Sequence, residues 1–236
     1  MKSIILGALL SAVAVAQYPP GWIDFRSGTP GVREPKAFVE GIPKPGPATV
    51  TGTITGPYKA KNLGDLGFTG YTIYAPMNPP TGQKLPVIIY SNNGGLAVGR
   101  IDETIVAEIS SYGYYVIVEG APDAGFTGGP GGGPPFSNSS DGFDAINWVV
   151  NQGANGKLPD VDATKIFAGG TSMGGINSYT TSQDKRISGT LIISSGILSG
   201  AALRAKLSVL TKPVGFFEGG SSDAGKNIHM FQISIY

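Results

Sequence analysis

Lys165-Ile-Phe-Ala-Gly-Gly-Thr-Ser-Met-Gly-Gly175 is the stretch from which the rest of the chain can be ordered. Ile166, Phe167 and Ala168 read as a buried strand. The run stops at Gly170-Thr-Ser-Met-Gly174, which fits G-x-S-x-G, and the residues that follow can be helical. A strand, a tight turn carrying a serine and a helix make the sequence form of a nucleophile elbow. So sharp a turn leaves almost no room for side chains two positions before and after the serine, and Gly170 and Gly174 supply that. The Ser172 hydroxyl is then expected above the sheet edge. The following helix begins with unpaired N–H groups, of which that of Met173 is placed to face a developing oxyanion.

Outward from the elbow, the segments alternate. Leu85–Tyr90 is a continuous apolar run, as expected for a strand covered on both faces. Ile101, Ile105, Val106, Ile109 and Tyr112 follow at helical spacing, with Gly113 as the C-cap. Tyr114–Val118 is a second buried strand. Gly120–Pro135 is a loop rich in glycine and proline that matches neither a phosphate loop nor a dinucleotide fingerprint. Ser140 or Asp141 caps a helix with Phe143, Ile146, Val149 and Val150 on its apolar face, ending near Gly153. After the elbow come a strand at Ile187–Ser194, a short helix at Gly200–Leu210 and a strand at Pro213–Phe217. Upstream, Ala48–Thr55 and Phe68–Ala75 alternate as strands and are expected to pair antiparallel. This β-α-β order predicts a doubly wound, mostly parallel sheet with N-terminal antiparallel strands and a ligand site at the carboxyl ends of its strands.

The chain has 236 residues, enough for one large domain with a full core. Met1–Ala16 combines Lys2, an apolar run and Ala14-Val15-Ala16, the pattern of a cleaved secretory signal, too short to span a bilayer. The mature protein is therefore expected to be exported and without a membrane span. Residues 17–47, rich in proline and glycine, read as an extended arm over a domain of residues 48–225, with residues 226–236 as a tail. Removing Lys2 with the leader leaves 16 basic and 16 acidic residues, which provides no electrostatic footprint for nucleic acid. Without cysteine and with a single histidine, a structural zinc site is not expected, and the core rather than disulfides must hold the domain. Asn138-Ser139-Ser140 is the only N-glycosylation sequon and is expected at the surface. No repeats or Ser/Thr/Pro tracts suggest a structural wall protein.

Chemistry collects at the predicted strand ends. Asn92-Asn-Gly-Gly-Leu96 follows the first parallel strand, where a backbone N–H of Gly95 or Leu96 could serve as a second oxyanion donor beside Met173. Asp223 lies after the last strand, in the order nucleophile then acid, although an Asp in a Gly-Ser turn also suits turn formation alone. His229 is the only histidine, six residues beyond Asp223 and seven from the last residue. Either it turns back to serve as general base, or it is incidental.

Taken together, Leu85–Gly95, Ile105–Val118, Asp144–Trp148, Asp162–Gly175 and Lys212–Asp223 resemble a fungal secreted α/β-hydrolase of the chlorophyllase and polyester-hydrolase-like (lipase/esterase) kind. The resemblance covers about residues 48–225. It implies the α/β-hydrolase fold and hydrolysis of small-molecule or polymeric carboxylic esters through an acyl-enzyme, without a cofactor; no metal site and a monomer are expected besides. By position it makes Ser172 the nucleophile, Asp223 the acid, and Met173 with Gly95 or Leu96 the oxyanion donors. Relatives continue past the acid loop into a last strand, a histidine loop and a closing helix, which Asn227–Tyr236 does not resemble. The expectation is a C-terminally truncated hydrolase, with His229 standing in for the usual base. The alternative is a catalytically inactive binding protein that keeps the fold.

Overall fold

The computed structural model describes residues 18–32, 44–46, 49–50, 53–127, 132–197, 206–219 and 223. The expected leader, His229 and the rest of the tail lie outside them. Nine strands are seen among the described residues: β1 (Ile23–Asp24), β2 (Thr29–Pro30), β3 (Ala60–Asn62), β4 (Tyr71–Pro76), β5 (Leu85–Ser91), β6 (Tyr115–Glu119), β7 (Val161–Thr171), β8 (Ile187–Ile193) and β9 (Val214–Phe217). Three α-helices accompany them: α1 (Glu103–Ser111), α2 (Asp141–Trp148) and α3 (Met173–Thr181).

β3 to β9 form one sheet in the order β3-β4-β6-β5-β7-β8-β9. β3, β4 and β6 pair antiparallel, while β6, β5, β7, β8 and β9 run parallel. The fold is thus α/β with a mostly parallel mixed sheet. Its central strands are apolar on both faces because helices cover both. Val87 and Ile89 of β5 join Ile117, Ile166 and Ala168 against Phe143, Ile146 and Trp148 of α2. Ile88 and Tyr90, one residue out of phase, pack with Val116, Val118 and Val106 of α1 on the other side. Period-2 alternation within a continuous apolar run therefore feeds two separate cores.

β6 lies on one side of β5 and β7 on the other, so the chain reverses its winding between β5 and β7. In open α/β sheets the crevice at such a reversal, beyond the carboxyl ends, is where ligands bind. The two flanking strands end at Ser91 and Thr171, and the register pairs Ser91 with Gly170. The elbow and the Asn92–Leu96 loop are therefore neighbours by topology.

Four elements differ from expectation. The antiparallel partner of β4 is Ala60–Asn62 and not Ala48–Thr55. Of the latter, Thr49, Val50 and 53–55 are described and are not strand, although the Val50 N–H donates to Ala60 O at 3.2 Å. The helix through Trp148 does not stop at Gly153 but runs on in wider, π-type turns to Lys157, where Asn155 and Gly156 leave helical geometry. Of the arm, residues 18–32 are not simply extended: β1 and β2 form a hairpin. It is fastened to α3 and the turn after it, with the Phe25 N–H donating to Thr180 Oγ1 at 3.0 Å and the Ile23 N–H to Gln183 Oε1 at 2.9 Å. Trp22 stands edge-to-face on Phe143, with centroids 5.1 Å apart. Of the helix expected at Gly200–Leu210, Lys206–Val209 is a single 3₁₀ turn and 200–205 lie outside the described residues.

Candidate active site

Why β7 turns so abruptly into α3 is visible in what the two glycines touch. A Cβ on Gly170 would lie 2.5 Å from the Gly174 carbonyl carbon and 2.7 Å from Ser91 O. One on Gly174 would lie 2.5 Å from the Ser91 carbonyl carbon and 2.6 Å from Asn92 O. These neighbours are backbone and cannot swing aside. The two glycines and the end of β5 interlock, and the residue between them has no relaxed conformation left. Ser172 sits at φ 54°, ψ −119°, a left-handed conformation that costs a non-glycine residue about 1–3 kcal/mol. Its side chain is exposed, and among the described residues its hydroxyl has no hydrogen-bond partner.

Strain of this kind makes a prediction. Ser172→Gly relieves the left-handed conformation but adds backbone freedom to the unfolded chain, leaving a net gain of about 1 kcal/mol. That gain is expected as an unfolding midpoint raised by a few degrees in a thermal melt.

The main chain of Ser172 is held at both ends. Its N–H donates to Ile193 O at 3.0 Å, its carbonyl accepts the Gly175 N–H at 3.0 Å, and the Ser195 hydroxyl also donates to that carbonyl. The helix behind it is weak by composition, since Met-Gly-Gly-Ile-Asn-Ser-Tyr-Thr-Thr contains two glycines and two threonines. It is held instead by Ile176 and Tyr179, buried with Phe25, Ile192 and Leu210. Met173 occupies its first position, and among the described residues its N–H has no acceptor.

The loop after β5, where a second N–H donor is expected, is a tight turn. Asn93–Gly95 closes a 3₁₀ turn in which the Gly95 N–H donates to Asn92 O at 3.1 Å and the Leu96 N–H to Asn93 O at 3.4 Å. Both N–H groups expected as the second donor, those of Gly95 and Leu96, are thus engaged within the turn. The Gly94 N–H has no acceptor among the described residues. Gly94 and Gly95 both have positive φ, 68° and 66°. A Cβ on Gly95 would stand 3.3 Å from Met173 Cγ, so the turn lies directly against the start of α3.

Buried polar groups fix that loop from both sides. Asn92 Nδ2 donates to Val98 O at 3.0 Å and Glu119 O at 2.6 Å. The Asn93 N–H donates to Asp102 Oδ2 at 2.8 Å, which also accepts the Tyr90 hydroxyl at 3.2 Å, and Tyr90 is hydrogen-bonded to Thr171 Oγ1. Burial pushes the Asp102 carboxyl above its usual value, while the Asn93 N–H and the Tyr90 hydroxyl work in the other direction. From the opposite side the Gly95 carbonyl accepts the Ser137 N–H at 2.9 Å and its hydroxyl at 3.1 Å. Arg26 of the hairpin donates to Ser137 O at 2.7 Å. Nothing in the sequence pattern singled out Ser137 or Arg26, because their roles depend on backbone approaches across 42 and 111 residues.

Asp223 is half-buried above the ends of β8 and β9. One carboxylate oxygen accepts the Ser194 hydroxyl and the Gly219 N–H, both at 2.7 Å. Ser194 follows Ile193, the residue whose carbonyl holds the Ser172 N–H, so only the end of β8 separates Asp223 from the elbow. The expected base, His229, lies outside the described residues. Asn138 is half-buried and lines a cavity of about 680 Å³ together with Gly94, Met173 and Phe136.

Among the described residues no group of three or more His, Cys, Asp or Glu side chains is placed to hold a metal ion. No helix among them is long and apolar enough to cross a membrane. No protein-family model matches the chain, and no curated protein matches it.

Proposed function

We propose that the protein is an exported serine hydrolase with the α/β-hydrolase fold, cleaving carboxylic esters through an acyl-enzyme on Ser172. The observation that carries this is the conformation of Ser172: a strained, exposed serine whose hydroxyl has no partner among the described residues, locked between interlocking glycines at the point where the sheet reverses its winding. A structure that only needed a turn here would have relaxed it with glycine.

In this reading a base removes the Ser172 proton as Oγ attacks the ester carbonyl carbon. Charge develops on the carbonyl oxygen, and the Met173 and Gly94 N–H groups receive it. Preorganised donors of this kind contribute about 10²–10³ in turnover each. The tetrahedral intermediate collapses as the base returns the proton to the departing alcohol. Water, activated by the same base, then releases the acid and regenerates Ser172. Asp223 orients the base, and His229 is the imidazole we assign to that position. The resemblance in segment order and the leader-like Met1–Ala16 support export and the polyester-hydrolase-like kinship.

The test is the hydrolysis of p-nitrophenyl butyrate by residues 17–236. Asp223→Asn and His229→Ala are each expected to lower kcat by at least about 10⁴-fold with little change in KM, since an unoriented or missing base affects the transition state alone. Full activity in both variants would remove the base assignment. A folded parent without turnover would instead favour an inactive binding protein.

A further inference from the structure

The cavity beside the elbow differs in character from the apolar slot that a hydrocarbon chain requires. One wall carries the Phe136 ring, 59 % exposed, and Met173, 36 % exposed. Phe136 does not hang free. The residues on either side are pinned to the Asn92–Leu96 region, with the Ala97 N–H donating to Pro135 O at 2.8 Å and the Ser137 N–H to Gly95 O at 2.9 Å. The backbone thus holds an aromatic residue out in water next to the proposed oxyanion donors.

The β1–β2 hairpin lines the same cavity with Asp24 and Arg26. Asp24 accepts the Arg26 N–H at 2.9 Å on one oxygen and the Ser27 hydroxyl at 3.1 Å on the other, which leaves lone pairs on both. Of the five guanidinium N–H donors of Arg26, only Nη1 has an acceptor among the described residues, Ser137 O. A carboxylate with spare acceptors disfavours an anionic ligand, and a guanidinium with spare donors disfavours a cation. A neutral ring bearing several hydroxyls uses both, because each hydroxyl donates and accepts, and its C–H face covers an exposed aromatic.

Building on the hydrolase reading, we infer that this cavity is a sugar subsite, so that the esters cleaved at Ser172 are those in which the alcohol is a sugar or a comparable cyclic polyol. The pyranose ring lies on Phe136, with hydroxyls directed to Asp24 and Arg26.

Binding can be read without turnover. Saturation-transfer NMR with methyl β-D-xylopyranoside, beside cyclohexanol as a ring lacking those hydroxyls, is expected to detect the xyloside alone. Phe136→Ala and Asp24→Asn, both outside the packed core, are each expected to weaken it about tenfold, the loss of one stacking contact or charge-assisted hydrogen bond. The same variants are expected to lower kcat/KM about tenfold on acetylated methyl xyloside and to leave ethyl acetate unchanged. Equal binding of cyclohexanol, no binding of the xyloside, or unchanged binding in both variants would overturn the subsite. Xyloside binding without any ester turnover would leave the subsite standing and remove the hydrolase reading instead.

Discussion

Ser172→Ala is expected to lower ester turnover by about 10⁶-fold while leaving the fold intact. In the proposed reaction the loss is large because the serine is the covalent participant: without Oγ no acyl-enzyme would form, and only binding and the proposed Met173 and Gly94 donors would remain to favour attack by water. The fold should survive because the Ser172 side chain makes no hydrogen bond among the described residues. Its main-chain bonds to Ile193 and Gly175 do not involve Oγ. Alanine also keeps the strained φ, so the turn gains no relief. Turnover measured on a short-chain nitrophenyl ester, with far-ultraviolet circular dichroism as a check on folding, reads both parts. An Ala variant as active as the parent would mean that the strained turn serves something other than catalysis.

The second large effect is structural. Gly174→Ala places a methyl group 2.6 Å from Asn92 O and 2.5 Å from the Ser91 carbonyl carbon. Real Cβ atoms do not approach so closely, and both neighbours are buried backbone, Ser91 being the last residue of β5, paired with Gly170 of β7, and Asn92 the residue after it. Either α3 tilts away from the sheet, pulling Ile176 and Tyr179 out of their core, or the β5 end shifts and carries the Asn93–Gly95 turn with it. The expected cost is about 3 kcal/mol or more, at the upper end of overpacking effects. A urea midpoint reads it directly. Gly125→Ala is the matched control, because a Cβ there meets nothing within 4 Å and stability should change by less than about 0.5 kcal/mol.

These two residues also mark what the sequence makes legible. Gly170, Ser172 and Gly174 announce a tight strand-to-helix turn by spacing alone, and the apolar runs at Leu85, Tyr114 and Ile187 announce strands covered on both faces. Both signals are local, and the parallel core of the sheet follows from them. β3 carries no such signal. Ala60-Lys61-Asn62 is short and polar, and it joins the sheet through backbone pairing with β4, whereas the alternating Ala48–Thr55 looked the better strand. The β1–β2 hairpin is equally silent, since two-residue strands cannot alternate and the hairpin is fastened by bonds to Thr180 and Gln183, 155 and 160 residues away. That the Gly94 N–H, and not that of Gly95 or Leu96, is left without an acceptor among the described residues depends on which N–H groups a 3₁₀ turn consumes. Composition identifies a glycine loop there but does not determine its turn type.

The hydrolase reading rests on Ser172 being an activated nucleophile, and a covalent probe asks that most directly. Residues 17–236 would be treated with a fluorophosphonate, digested and examined by mass spectrometry for the peptide containing Ser172. One adduct per chain is expected, on Ser172, absent from Ser172→Ala and lost again in His229→Ala. A folded parent that takes up no probe, or takes it up on another serine, would contradict it.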